Sequence, residues 1–165
     1  MENPNLVDIV GYEDLYKFDK VKNQVFSIKN NIYISTRILR GYYTVPLTKN
    51  YKQTTFQLHR LVYMCHYPQE DISELLIDHI DRNPFNNNID NLRAANKSQN
   101  QYNKTVSKNN KLGIKNIHKS IYNTYIVTIK KNRKSHIKTL KTLEEAIEWR
   151  NIKLVELHGE FANLG

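Results

Sequence analysis

Asp78 ends the apolar stretch "LLID" and, with the adjacent His79, opens the run "DHIDRNPFNNNIDNLRAANKSQN". Hydrolysis of a phosphodiester asks for a base to activate water and a hard cation to neutralise charge on the phosphate and the leaving oxygen. Asp, Asn and His side chains supply both needs. A divalent cation such as magnesium prefers oxygen ligands, keeps much of its water shell and takes only one or two protein groups beside substrate phosphate. Asp78 and a downstream Asn amide oxygen would suffice. Successive strand side chains leave opposite faces, so the strand carrying this pair has to bend or stop here if the two are to share a site. On these residues alone, an Asp-His pair at a strand end is more often a surface or hydrogen-bonded structural pair than a catalytic one.

The elements that must position the pair follow from periodicity and turn chemistry. "LLIDHID", Leu75 to Asp81, reads as a buried strand, "RNPFNNN" as a turn, "IDNLRAA" as a brief return, and Ser98 to Lys104 as a short helix. Ahead of them, "LYKF", "QVFSI", "IYIS", "YYTVPL" and "TTFQL" alternate like the strands of one small antiparallel sheet. "HRLVYMCHY", His59 to Tyr67, then has helical spacing and is stopped by Pro68. Beyond a polar, basic stretch, "GIKNIHKS", "YIVTIKK" and "SHIKTLK" give three strands, the last two joined at Asn132-Arg133. A helix follows, capped by Thr142 and stopped by Gly159. The class is α+β, divided as 1–57 (sheet module), 58–104 (the segment around Asp-His), 105–111 (basic linker) and 112–165 (three strands and a helix).

Charge points to the partner. The 165 residues hold 25 Lys+Arg against 16 Asp+Glu, a net +9 that suits a polyanion. Asn91 to Leu143 contains no acidic residue. Within it Arg93, Lys97, Lys104, Lys108, Lys111, Lys115, Lys119, Lys130, Arg133, Lys134, His136 and Lys138 are the expected DNA contacts. The single cysteine, Cys65, excludes an internal disulfide and a multi-cysteine zinc site. With no apolar run near the roughly 20 residues of a membrane span and no signal-like start, the chain reads as soluble, intracellular and not exported.

The Asp78 to Asn100 run resembles the HNH (His-Asn-His/Asn) nuclease motif in its phage and intron homing-endonuclease form. Asp-His, the Asn-rich loop, Asn-Leu-Arg and a final Asn on a helix match without a gap. The resemblance implies a ββα-metal fold with Asp78 and Asn100 as metal ligands, His79 as general base and Asn91 as the residue that braces the loop and orients His79. It implies one magnesium or manganese ion per site, double-stranded DNA as partner, no small-molecule substrate, and a monomer or weak dimer. Upstream, "GYEDLYKF" and "QLHRLVYMCHYP" are similar to the small module that often precedes such motifs. His59 reads as a helix-start residue packed on the loop, or as a second phosphate contact or acid, and Cys65 and His66 as packing. Asn86 to Asn88 are expected to shape the turn, so that Asn87→Ala is mild.

Residues from Leu112 onward resemble the ethylene-response-factor (APETALA) type DNA-binding domain, on "GI" at Gly113, "YIVTI", "HIKTLKTLEEA" and "HGEFANL". Alternation is expected to turn Tyr125, Val127 and Ile129 with Ile137 and Leu140 toward the helix, and Thr128, Lys130, His136 and Lys138 outward. Two functional readings follow from these observations: a metal-dependent DNA endonuclease of the homing type, and a non-catalytic, transcription-factor-like DNA-binding regulator built on the same scaffold. RNA binding has only the charge in its favour.

Overall fold

A computed structural model of the chain describes residues 4–104, 106 and 109–165. Lys108 and part of the expected linker lie outside the described residues. The chain divides into two compact units, Met1–Asn96 and Lys97–Gly165.

The first unit opens with β1 (Leu6–Asp8), β2 (Tyr16–Asp19), β3 (Gln24–Ser27) and β4 (Ile32–Tyr33), an antiparallel sheet in chain order. β5 (Arg37–Leu39), β6 (Tyr42–Lys49) and β7 (Lys52–Gln57) form a second one, so the expected single sheet is two. Tight turns explain the grouping. Asn23, Asn31, Arg40, Gly41, Asn50 and Tyr51 all take positive φ, each reversing the chain between neighbours within a sheet. Between β4 and β5, by contrast, residues 34–36 run outside either ladder and no such turn brings the strands together.

β7 passes directly into α1 (Leu58–His66). Leu58, Leu61, Val62 and Cys65 recur at helical spacing and are buried with Phe18, Val25, Val45, Leu47, Ile77 and Leu92 in one cluster. Residues on both sides of the expected 57/58 boundary therefore fold around a common core. Burial pushes the Cys65 thiol up to about 12, so it stays protonated and packs as a small apolar group. β8 (Leu76–His79) and β9 (Leu92–Ala95) close the unit as an antiparallel pair.

The second unit begins with α2 (Lys97–Asn103), then β10 (Ile117–Lys119), β11 (Tyr125–Lys131) and β12 (Lys134–Leu140) as a three-stranded antiparallel sheet, and α3 (Leu143–His158). Asn132 and Arg133 both have positive φ, the two-residue hairpin the sequence announced. The Thr142 hydroxyl accepts from the Glu145 N–H at 3.2 Å and the Glu145 carboxylate accepts from the Thr142 N–H at 3.2 Å, a capping box. Gly159 ends α3 at φ +55°. Ile117, Val127, Ile129, Ala146 and Leu154 form this unit's own core.

One strand faces differently from expectation. Residues opposite each other across an antiparallel ladder share a face, and the register sets Val127 against Lys138, Ile129 against His136 and Thr128 against Ile137. His136 and Lys138 therefore lie on the helix side, with Lys138 Nζ 5.6 Å from the Trp149 ring, while Ile137 is exposed on the outer face. Ile137 and Leu140 are an odd number of residues apart and cannot share a face of a regular strand.

Candidate active site

The site is built where β8 ends. Asp78 sits opposite Arg93 in the β8–β9 ladder. The Arg93 Nε and Nη2 both donate to Asp78 Oδ2 at 3.0 Å. Arg93, expected on DNA, is thus the immediate counter-ion of the expected metal ligand.

His79 is the last residue of β8 and turns to other partners. Its Nε2 lies 3.0 Å from Asn87 Oδ1, in a contact buried from solvent. An amide oxygen only accepts, so Nε2 carries the proton and the basic lone pair is on Nδ1. The ring of His59, the second residue of α1, lies 4.9 Å from that of His79, centroid to centroid, and Tyr42 stacks near both at 5.3 and 6.4 Å.

The asparagines between the two strands divide into separate tasks. Asn91 Oδ1 accepts from the Asp81 N–H at 3.0 Å, and Asn91 Nδ2 donates to Asp81 Oδ1 at 2.9 Å and to the Asn86 carbonyl at 2.8 Å. Asn83 accepts from the Phe85 N–H at 3.1 Å and Asn88 from the Asp90 N–H at 3.2 Å, side chains standing in for absent ladder partners. Burial raises the Asp81 carboxyl, but hydrogen bonds from Asn86, the Asn83 N–H and Asn91 outweigh it and hold the group below its usual value.

Asn91 holds Asp81 and the Asn86 carbonyl, and the amide that meets His79 is that of Asn87. Sequence reasoning counted Asn87 among the turn formers because three consecutive asparagines carry no mark of which one is buried. The Asn91 hold on the Asn86 carbonyl, with the bonds of Asn86 to Asp81 and Asn83, fixes the backbone on the near side of Asn87. Replacing Asn87 with alanine is accordingly expected to slow whatever reaction His79 serves by about 10- to 100-fold, the usual cost of losing a partner that orients a functional group. Single-turnover rates would measure it, and a rate within twofold of wild type would contradict it.

His59 titrates abnormally. Burial, and then the charges of His79 and Arg60, push it from 6.5 down to about 4. The unfolded chain takes up this proton as pH falls through 6.5, whereas the folded chain resists until about 4. The unfolded state binds more protons in that window, so stability drops as pH is lowered across it, by up to about 3 kcal/mol. As pH falls from 6.5 to about 4, the urea midpoint of wild type should drop relative to that of His59→Phe. A difference independent of pH would refute the assignment.

In the second unit Asn100 lies on α2, and Lys97 and Lys104 are exposed. Lys111, Lys119, Lys130, Arg133 and Lys134 are exposed as well. Lys115 is otherwise engaged: its Nζ donates to the carbonyls of Tyr102 at 2.7 Å and Lys104 at 2.6 Å, capping the end of α2.

Residues 56–102 match the sequence model of the HNH endonuclease family. Protein 3.8 of Escherichia phage T7 is 37% identical over 87 residues, 52% of this chain and 72% of that protein. The chain belongs to the HNH endonuclease family. The uncharacterized HNH endonuclease L560 of Acanthamoeba polyphaga mimivirus is 39% identical over 68% of this chain and 59% of its own length. DNA endonuclease I-HmuI of Bacillus phage SP01 is 39% identical over 52% of this chain and 49% of its own. The HNH chain thus spans only about half to three-fifths of the length of these two relatives in sequence. The solved structure of the HNH homing endonuclease I-HmuI, described by its DNA binding and cleavage, superposes with a TM-score of 0.55 and 29% identity. That match covers 96% of this chain and 91% of the other. The HNH match ends within α2, past the division between the two units.

Proposed function

We propose that this chain is a metal-dependent DNA endonuclease of the homing type that hydrolyses phosphodiester bonds. The observation that carries the reading is His79: buried, its Nε2 proton held by Asn87, its basic Nδ1 presented one residue from Asp78. The kinship with I-HmuI, a protein described as binding and cleaving DNA, supports DNA as the substrate.

The donors suit a hard cation. Among the described residues no group of three or more His, Cys, Asp or Glu could hold a metal. One carboxylate, Asp78, with the Asn100 amide oxygen that the motif assigns, is the sparse all-oxygen set magnesium or manganese accepts when water and phosphate complete its shell. Bound there, one such ion supplies charge neutralisation at the phosphate and the departing oxygen. The chain's own residues do the rest. His79 Nδ1 takes a proton from water as the water oxygen bonds to phosphorus and the P–O3′ bond breaks, and the 3′ oxygen is protonated by solvent. Asn87 holds the tautomer and Asn91 holds the loop that carries Asn87.

The basic residues of the second unit supply phosphate affinity, and Lys outnumbers Arg, which favours holding DNA over reading it. Its three-stranded sheet with a helix supports the likeness to an ethylene-response-factor type module. The test is supercoiled plasmid incubated with the protein and magnesium or manganese, with and without chelator. Relaxation or linearisation that requires the ion is expected. Plasmid that stays intact with either ion overturns the reading, and binding that persists in that case promotes the regulator.

A further inference from the structure

His59 has no evident task in the mechanism above, yet its placement is costly. It lies in α1, 5% exposed against 7% for His79, so it is as deep in the protein as the base itself. Its Nδ1 is buried with no hydrogen-bond partner among the described residues. A buried polar atom left unpaired opposes folding, and native chains keep one chiefly where something else will pair with it. Packing alone would be served better by phenylalanine, which would fill the space between Tyr42 and His79 without stranding a nitrogen. His59 also stays neutral at ordinary pH, because burial and the nearby His79 and Arg60 hold it near 4. A neutral imidazole carries one N–H donor and one lone pair, and it adds no second positive charge beside the base.

We propose that His59 is a further catalytic residue, a neutral hydrogen-bond donor to a non-bridging oxygen of the reacting phosphate. The inference rests on the nuclease reading. The geometry is what recommends it: the His59 and His79 rings are 4.9 Å apart at 62°, so a phosphate close enough for water activated by His79 to attack also comes within reach of His59. Tyr42, 5.3 Å from His59 and 6.4 Å from His79, wedges both rings and limits their rotation. No proton leaves His59. It gives the developing negative charge a donor that is already in place and uncharged, where a cation would compete with proton uptake by His79.

The test pairs two variants with two readouts. His59→Phe keeps a ring in the wedge and deletes the donor; His59→Gln restores a donor without the ring. Cleavage of supercoiled plasmid with manganese is expected to fall at least about 100-fold in His59→Phe, the usual cost of one such donor, and to recover in part in His59→Gln. DNA affinity should stay near wild type in both, and above pH 6.5, where His59 is uncharged in folded and unfolded chain alike, the thermal midpoint should not fall below that of wild type. The second readout needs no cleavage: the ring-nitrogen resonances of His59 in the wild-type chain, followed by NMR, should move when a short random-sequence duplex is added without metal. Equal rates for His59→Phe and wild type, or resonances that a saturating duplex leaves in place, overturn the proposal. A wild-type protein that never cleaves defeats the nuclease reading instead, and the resonances alone then decide whether His59 meets phosphate.

Discussion

Replacing His79 with alanine is expected to lower metal-dependent DNA cleavage by about 100- to 10,000-fold while leaving DNA affinity within a few-fold of wild type. The magnitude is that of a positioned general base. Removing the imidazole also opens a gap between His59, Tyr42 and Asn87, so lost packing has to be separated from lost chemistry. Imidazole added to the buffer does this, since a small base that fits the gap restores part of the rate only if the missing group was accepting a proton. Alanine at this position with unchanged cleavage would remove the mechanism altogether.

The second large effect concerns Asp78. Its side chain is 7% exposed and that of Arg93 12%, so the pair is nearly dry. Removing one partner from a buried pair leaves the other charged and unpaired, a loss of about 3–5 kcal/mol. Alanine would therefore confound function with folding. Asn is the informative choice: its amide oxygen still accepts from Arg93, but the charge that attracts a cation is gone. Asp78→Asn is expected to cleave at least about 100-fold more slowly at fixed manganese, with calorimetric manganese binding weakened in parallel. Unaltered manganese binding would place the ion elsewhere. Arg93→Ala separates the two roles open to that residue. A phosphate contact predicts lower DNA affinity with a shallower dependence on salt, whereas a counter-ion to Asp78 predicts a lower thermal midpoint.

What the sequence made legible was local. Thr142 with Glu145, Gly159, Pro68 after α1 and the Asn132-Arg133 hairpin are decided by residues a few positions apart, and each element forms where its cap or turn residue stands. The motif residues Asp78, His79 and Asn91 stand out in the sequence for the same reason, their close spacing along the chain. Pairings made at a distance were hidden. Arg93 meets Asp78 through a ladder register, Asn87 reaches His79 because Asn91 pins the neighbouring carbonyl, and Ile137 faces outward because Thr128 does. Basic residues misled in a further way. Lys115 is among the expected DNA contacts, but its amine donates to backbone carbonyls, as does that of Lys131 in the same acid-free stretch. Charge counts do not distinguish a cation in water from one already occupied.

The anchoring of α2 bears on how such proteins can be recombined. The helix has seven residues, too few to persist unaided. Its last turn is held from far along the chain: Lys115 caps its carbonyls, the Asn163 amide donates to the Asn103 and Lys104 carbonyls at 2.9 and 3.1 Å, and Tyr102 stacks on His158 at 3.7 Å. The final Asn of the motif, Asn100, is thus carried by a helix whose order depends on the last residues of the chain. A graft that exchanges the sheet-and-helix module at the apparent linker would leave that helix without its supports, whereas a junction at Asn96 would transplant helix and supports as one heritable piece.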